Sequence, residues 1–495
     1  MRKSYLSKQD IKITLHYLGY IIIGIGLILA IPEIIDLFYG EFNYQIGLIP
    51  CLISIILGII FVLNYREYDR LKFKHGMLIS SVSWLWAGLV GAIIMMLLLD
   101  VSFIDAFFEN MSAWTGSGLT LFNDVESLPM SILFLRSLEQ WIGGLGVVII
   151  FISILIKPGT SAYKLYRSEA RDEKIKPNIR NTLYRTLQIY FIYTCIGILL
   201  YIIAGLPVFD SINLTFTTIS TGGMSIKNAN VGFYQNNIVY LITIFLMILG
   251  ATSFTVHYKM AKTKGKAILK DIQFHFLIIF ILIFGIFIAV TTDITPMYIV
   301  FHLVSAITTT GANIATSAEL ASWSPTVLIM VIVLMVMGGS SGSTVGAVKL
   351  IRVITFLKSV HLAVTNLISP KKRVVKTKIN GKIINEGEMK EASSYIAVYI
   401  MFIAISWIII TYFTNDPLYS LFDVTSTIGN VGLSTGMVSG SLNPIGKILL
   451  IFLMWIGRLE IIPVLLTFTF GLNTVEHGLK VIKKSIRNKW RKITA

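Results

Sequence analysis

Charge is scarce in this sequence. Only 14% of its 495 residues are Asp, Glu, Lys or Arg, while 55% are hydrophobic; soluble domains carry about 25% charged residues. With a mean hydropathy of +0.76, that shortage excludes an ordinary soluble domain and leaves a chain threaded repeatedly through lipid. Cysteine is scarcer still. Cys51 and Cys195 both lie in apolar runs, so neither a disulfide framework nor a thiolate metal site is expected. The histidines are scattered without the paired spacing of a transition-metal site. Gly24-x-Gly26 and Gly144-x-Gly146 lie inside apolar spans, and no Lys-Ser or Lys-Thr follows a glycine run. Nucleotide loops are therefore excluded and no organic cofactor is expected in this chain. A membrane enzyme would need polar residues gathered at one membrane face, and no such cluster is present.

The charge that is present has a pattern. Basic clusters occur at 2–12, 66–74, 157–180, 259–270 and 371–382. Between them lie Glu33, Asp36 and Glu41; then Asp100, Asp105, Glu109, Asp124 and Glu126; then Asp293 and Glu319; then Asp416 and Asp423, with Lys227 as the exception. This alternation follows the positive-inside rule and places both termini in the cytoplasm. The net charge of +16 sits in loops between spans, so it does not indicate a nucleic-acid partner. The run from Ile13 to Leu37 is too long for a signal-peptide core and reads as an anchor in the bilayer.

Ten spans are expected, at 13–38, 45–64, 77–99, 129–156, 184–204, 236–258, 272–292, 325–365 with an interruption, 392–414 and 445–471. The last eight form four pairs, and each pair encloses a segment too short to cross: 104–117, 209–221, 296–310 and 417–431. Thr295-Pro296 and Asp416-Pro417 provide a cap followed by proline at the first helical position, and Asp210 is expected to cap another. Each short segment breaks at glycine, in "TGSGLT", "ISTGGMS", "TTTGANI" and "GNVGLST". Aligning Gly118, Gly222, Gly311 and Gly432 brings Gly144, Ala251, Gly339 and Arg458 into register 26–29 residues later. This is an internal repeat. It gives an all-α polytopic fold with a helix pair at 1–75, pore units at 76–157, 158–262, 263–368 and 369–473, and a tail at 474–495.

Irregular backbone at membrane depth is tolerated where it is buried or lines a watery path. A single Thr-Gly pair would read as a helix-packing contact; four in register read as strands around one axis. The pairs Ser117-Gly118, Thr221-Gly222, Thr310-Gly311 and Val431-Gly432 would present carbonyl oxygens that replace the hydration shell of a monovalent cation. The C-terminal ends of the half-helices and the acidic outer loops favour cations over anions. Arg458 is expected beneath this ring as a repulsive barrier, with pairing to Glu460 as the structural alternative. "GGSSGSTVGAVK" at 338–349 cannot remain a plain helix in lipid. Gly338, Gly339, Ser340, Ser341, Gly342, Ser343 and Thr344 are read as a flexible gate, or else as a static kink.

These residues resemble the Trk/Ktr/HKT superfamily, and within it the membrane subunit of Trk-type potassium uptake systems. "LGYIIIGIGLILAIPEIIDLFYGE" (18–41) is similar to the extra helix pair of the Trk type. "LRSLEQWIGGLGVVI" (135–149), "GGSSGSTVGAVKLIR" (338–352) and "GRLEIIPVL" (457–465) are similar to the family's second helices. The loop differs at Val345 and Ala347, where the family commonly has glycine. The resemblance implies K⁺ as the transported substrate, the aligned glycines as filter, 338–344 as gate, Arg458 as pore arginine, a homodimer and a cytoplasmic nucleotide-binding regulatory subunit. Glycine rather than serine at the first filter position leans towards potassium. The rivals are a sodium-conducting member and an H⁺- or Na⁺-coupled symporter of the same fold. In the tail, Leu479, Ile482, Ile486, Trp490 and Ile493 recur at helical spacing opposite a basic face. Such a helix is expected to lie on the anionic inner leaflet or to dock the regulatory subunit.

Overall fold

The computed structural model describes residues 6–39, 44–65, 71–146, 179–368, 378–380, 382–461, 463–471 and 473. The expected amphipathic tail, most of the 157–180 and 371–382 basic clusters, and the second half of the 129–156 span lie outside the described residues. The fold is all-α. Among the described residues, seven unbroken helices are long and apolar enough to cross a bilayer, and two bent pairs raise that to as many as nine.

The N-terminal pair is Lys8–Leu29, continued by Ile31–Tyr39, and Tyr44–Asn64. Its two long helices approach backbone to backbone at Gly19 and Gly58, where a β-carbon on either would overlap the other's carbonyl. Small residues of this kind allow close helix packing in lipid. The Ser54 hydroxyl adds a bond to the Ile22 carbonyl at 3.0 Å.

Four short helices follow at Phe103–Thr115, Val208–Ile219, Pro296–Ile307 and Pro417–Gly429. At 12 or 13 residues each, they reach about 18–20 Å, well short of a hydrocarbon core of about 30 Å. Ser102 caps the first by accepting from the Asp105 N–H, and Asp416 caps the fourth by accepting from the Tyr419 N–H. The expectation for Asp210 is corrected. Pro207 occupies the cap position, and Asp210, one turn in, accepts instead from the Tyr234 hydroxyl at 3.0 Å.

Each short helix packs between the two longer helices of its own unit and the second helix of the preceding unit. Phe103–Thr115 lies on Phe73–Leu98, Met130–Leu145 and Pro444–Leu459; Val208–Ile219 lies on Ile179–Ile203, Asn237–Ala251 and Met130–Leu145. Pro296–Ile307 lies on Ile272–Thr291, Pro325–Val336 and Asn237–Ala251; Pro417–Gly429 lies on Glu386–Thr414, Pro444–Leu459 and Pro325–Val336. The fourth unit therefore closes onto the first.

Two expected spans are not straight. The 236–258 segment ends one helix at Ala251 and starts another at Phe254, turned by 103°. The 445–471 segment breaks after Leu459, where Glu460 takes a φ of +65°. The first break falls where the apolar Asn237–Ala251 gives way to the polar Phe254–Thr263, and the second lies between Arg458 and Glu460. Hydrogen bonds fix the first turn: the Ser253 side chain caps the new helix at Thr255, and the Phe254 N–H reaches the Gly342 carbonyl at 3.0 Å. The interrupted 325–365 segment becomes Pro325–Val336 and Leu350–Ile368, joined through a parallel pairing of Met337–Gly338 with Val348–Lys349.

Candidate functional site: a closed ring of backbone

The four short helices end in the same turn. The carbonyls of Ser112, Thr217, Ser305 and Ser426 accept from N–H groups five residues on: Ser117 at 2.9 Å, Gly222 at 2.8 Å, Thr310 at 2.9 Å and Val431 at 2.9 Å. On one side of that residue the chain turns left-handed at Gly116, Thr221, Thr309 and Asn430. On the other side it does so at Gly118, Gly223, Gly311 and Gly432, with φ of 78°, 70°, 73° and 103°. This corrects the second repeat. Gly223, not Gly222, is the equivalent of Gly118, Gly311 and Gly432, and the Thr221-Gly222 pair gives way to Gly222-Gly223. "STGG" offers two adjacent glycines, and matching on Thr-Gly selects the first; the bond to Thr217 selects the second.

The same register closes the ring. A β-carbon at Gly118 would overlap the Gly222 carbonyl oxygen, one at Gly223 that of Thr310, one at Gly311 that of Val431, and one at Gly432 that of Ser117. Four strands thus meet around one axis in the order one, two, three, four, one. Glycine is required at these positions both by the sign of φ and by the neighbouring backbone. Three second helices brace the ring equivalently. A β-carbon at Gly143, Gly250 or Gly457 would run into the carbonyl of Trp114, Ile219 or Ile428, each two residues beyond the Ser or Thr that starts the turn.

Side chains hold the strands from behind. Gln140 donates its amide to the Gly222 carbonyl at 2.8 Å and accepts from the Met224 N–H at 3.0 Å. Glu109 accepts from the Thr120 hydroxyl at 2.7 Å and from the Leu121 N–H, and lies 3.4 Å from the Arg136 guanidinium. Asp423 occupies the equivalent place in the fourth unit and accepts from Ser434, Thr435 and Val438. At the outer surface the Asn228 amide donates to Asp124 at 2.8 Å, which holds that exposed carboxyl below the ordinary carboxylate range, and Asn228 also accepts from the Val125 N–H. Sequence reading missed Arg136, Glu139, Gln140 and the bracing role of Glu109 and Asp423. The signal was present in "LRSLEQW", because ionisable residues within a span are functional by default.

Residues 338–348 are buried except for half-buried Ser341. The loop is not loose. The Ser340 N–H donates to the Ala251 carbonyl at 2.9 Å, and the Ser341 N–H to the Gln273 side chain at 2.8 Å. Ser343 bonds to the Ser340 carbonyl at 2.5 Å, Thr344 to the Gly250 carbonyl and the Thr221 hydroxyl at 3.0 Å each, and the Gly346 N–H to the Thr309 hydroxyl at 3.0 Å. The loop is therefore tied directly to the left-handed Thr221 and Thr309 turns beneath the ring. Ala347 takes a φ of +52°, a conformation that costs a residue with a β-carbon about 1–2 kcal/mol.

Arg458 lies in register with Gly144, Ala251 and Gly339, and it does not pair with Glu460. Its guanidinium donates to the Thr344 carbonyl at 2.7 Å and to the Gly143 and Gly144 carbonyls at 2.5 and 2.8 Å. Glu460 instead takes a two-pronged bond from Arg352, at 2.8 and 2.6 Å, with Lys349 at 3.3 Å. Two residues of the fourth unit thus hold the third-unit loop, Arg458 at Thr344 and Glu460 at Lys349 and Arg352. Glu460→Ala is expected to lower stability by about 3–5 kcal/mol, because it leaves the half-buried Lys349 and Arg352 without their shared partner. Thermal unfolding of the purified variant measures this; an unchanged midpoint would refute it.

The architecture is that of an all-α polytopic membrane protein built around a central ring of backbone. The TrkH family, described as cation transport protein, matches residues 48–292 and 297–474. The chain belongs to this family, whose members are transporters and not enzymes. It is 39% identical over 94% of its length to a cation transporter of Methanocaldococcus jannaschii, of which it covers 96%. It is 29% identical over 94% of its length to the Trk system potassium uptake protein TrkG of Escherichia coli, of which it covers 99%. The crystal structure of the potassium transporter TrkH from Vibrio parahaemolyticus superposes with a TM-score of 0.81, at 23% identity, over 92% of this chain and 98% of that one.

Proposed function

We propose that the chain carries out potassium uptake through the ring formed by Ser117-Gly118, Gly222-Gly223, Thr310-Gly311 and Val431-Gly432. The observation that carries this reading is the cyclic contact of each glycine with the carbonyl of the next unit. Backbone carbonyls of all four units brought into one ring are what replacing a hydration shell requires. The short helices end at the ring and direct their carboxyl ends towards it, favouring a cation. The names of the Escherichia coli and Halomonas elongata relatives, Trk system potassium uptake proteins, support potassium as the ion.

In this reading the 338–344 loop is the gate, Arg458 is its latch and a barrier below the filter, and the membrane potential drives K⁺ inward. The resemblance and the charge pattern extend the proposal to a homodimer in the plasma membrane. Both termini are cytoplasmic, where a nucleotide-binding regulatory subunit acts on the gate. The test is reconstitution in liposomes with one ion gradient imposed at a time. Rb⁺ or K⁺ uptake should exceed Na⁺ uptake by at least about tenfold, or about 1.4 kcal/mol of selectivity. Equal uptake would reject potassium specificity in favour of a sodium-conducting member. Uptake that vanished without an inwardly directed H⁺ or Na⁺ gradient would favour a coupled symporter.

A further inference from the structure

Glu139 is a buried carboxylate that the ring does not use. It lies on the second helix of the first unit, one residue before Gln140, and is fully buried. Neither of its oxygens makes a hydrogen bond of ordinary geometry among the described residues. The Asn110 amide lies beside it. Asn110 Nδ2 is committed to the Ala106 carbonyl at 2.7 Å, which fixes the orientation of the amide and leaves Oδ1 unpartnered. Asn110 Oδ1 and Glu139 Oε1 converge on the same point beside Gly91, where a β-carbon would meet both. One acceptor therefore faces another. The indole Nε1 of Trp114 is a donor acting on the carboxyl group, short of the geometry of an ordinary hydrogen bond.

Charge balance leads to the same conclusion. The charged groups acting on Glu139 are Arg136 on its own helix and Glu109 on the adjacent short helix. Arg136 is engaged by Glu109 at 3.4 Å and by the Ser225 carbonyl at 3.1 Å. Phe73–Leu98, the helix that carries Gly91, has no charged residue between Gly76 and Leu99. One cation thus serves two fully buried carboxylates, and an unpaired buried charge is very costly.

We propose that Glu139 is a proton-binding site, holding a resident proton that it donates from Oε1 to Asn110 Oδ1, with the Trp114 indole beside the carboxyl group. The proton supplies the missing donor and removes the second negative charge. It sits one residue along the helix from the brace that Gln140 provides to the Gly222 carbonyl, which connects a titratable site to the ring whichever cation passes.

Infrared spectroscopy of the full-length protein in lipid at neutral pH tests this without any transport assay. The wild type should show a protonated-carboxyl C=O band that is lost in Glu139→Gln and shifted in Glu139→Asp. A band unaffected by both substitutions would mean that Glu139 is ionised and would overturn the proposal. Thermal unfolding provides an independent measure. Glu139→Gln retains a donor for Asn110 and should melt near the wild-type temperature, whereas Glu139→Ala should melt about 3 °C or more below it. A Gln variant that fails to fold, or that melts as low as the Ala variant, would show that the charge is required and count against a resident proton.

Discussion

Gly223→Ser and Gly311→Ser are each expected to reduce Rb⁺ over Na⁺ discrimination in liposome uptake at least about tenfold, which corresponds to about 1.4 kcal/mol. At Gly311 the new β-carbon meets the Val431 carbonyl, and at Gly223 it meets that of Thr310. Both sites also have left-handed φ, at 73° and 70°, which residues with a β-carbon resist. Carbonyls that should face the axis would be pushed aside, while the surrounding helices keep the protein folded. Gly222→Ala is the control for register. Gly222 has no left-handed φ, and its β-carbon would meet the Gln140 side-chain amide at 2.5–2.8 Å rather than another strand's backbone. It should retain more discrimination than Gly223→Ser. If Gly222→Ala were the more damaging of the two, the register derived from the Thr217 hydrogen bond would be wrong, and wild-type discrimination in Gly311→Ser would remove that strand from the path.

Arg458→Ala is expected to raise maximal K⁺ flux by tens-fold. A cation about 6 Å from the guanidinium, at an effective dielectric of about 20, experiences roughly 2–3 kcal/mol of repulsion that the substitution removes. The bonds to Thr344, Gly143 and Gly144 add a second effect in the same direction, since the loop loses its latch to the first unit. Shortening the loop around Ser340–Ser343 should raise flux separately. Because both changes act on one axis, the double variant should gain less than the product of the single gains. Flux and thermal stability of purified Arg458→Ala are the measurements. A destabilised protein with no gain in flux would reduce Arg458 to a structural clamp. Glu460 is unaffected in that variant because its partners are Arg352 and Lys349, so the two substitutions separate the latch from the salt bridge.

The sequence by itself determined the elements whose causes are local. Spans follow from apolar length, and the short helices follow from their capping residues, proline positions and terminal glycines. The expected 104–117, 209–221, 296–310 and 417–431 overlap the observed helices, and the observed helices end two or three residues earlier. Thr308 to Thr310 could extend a helix by propensity, but in the folded chain the Thr310 N–H turns back to Ser305. The positions of Arg458 and the loop at 338–349 were also legible, because charge and glycine inside an apolar run stand out in any context.

Only the tertiary structure decided partners and the sign of φ, which depend on contacts distant in sequence. Gly222 and Gly223 are the same residue type in adjacent positions; a carbonyl of the third unit, at Thr310, distinguishes them. The bend at Ala251 is set by the third-unit loop, which supplies Gly342 to the Phe254 N–H. Arg458 and Glu460 are two residues apart and oppositely charged, so proximity suggested a pair. The helix ends between them, at Leu459, and the left-handed turn at Glu460 sends the carboxylate to Arg352 while the guanidinium stays with the loop. Hydropathy and spacing are properties of a segment. The partner of a buried charge is a property of the whole fold, because each charge must be satisfied by whichever groups the packing brings to it.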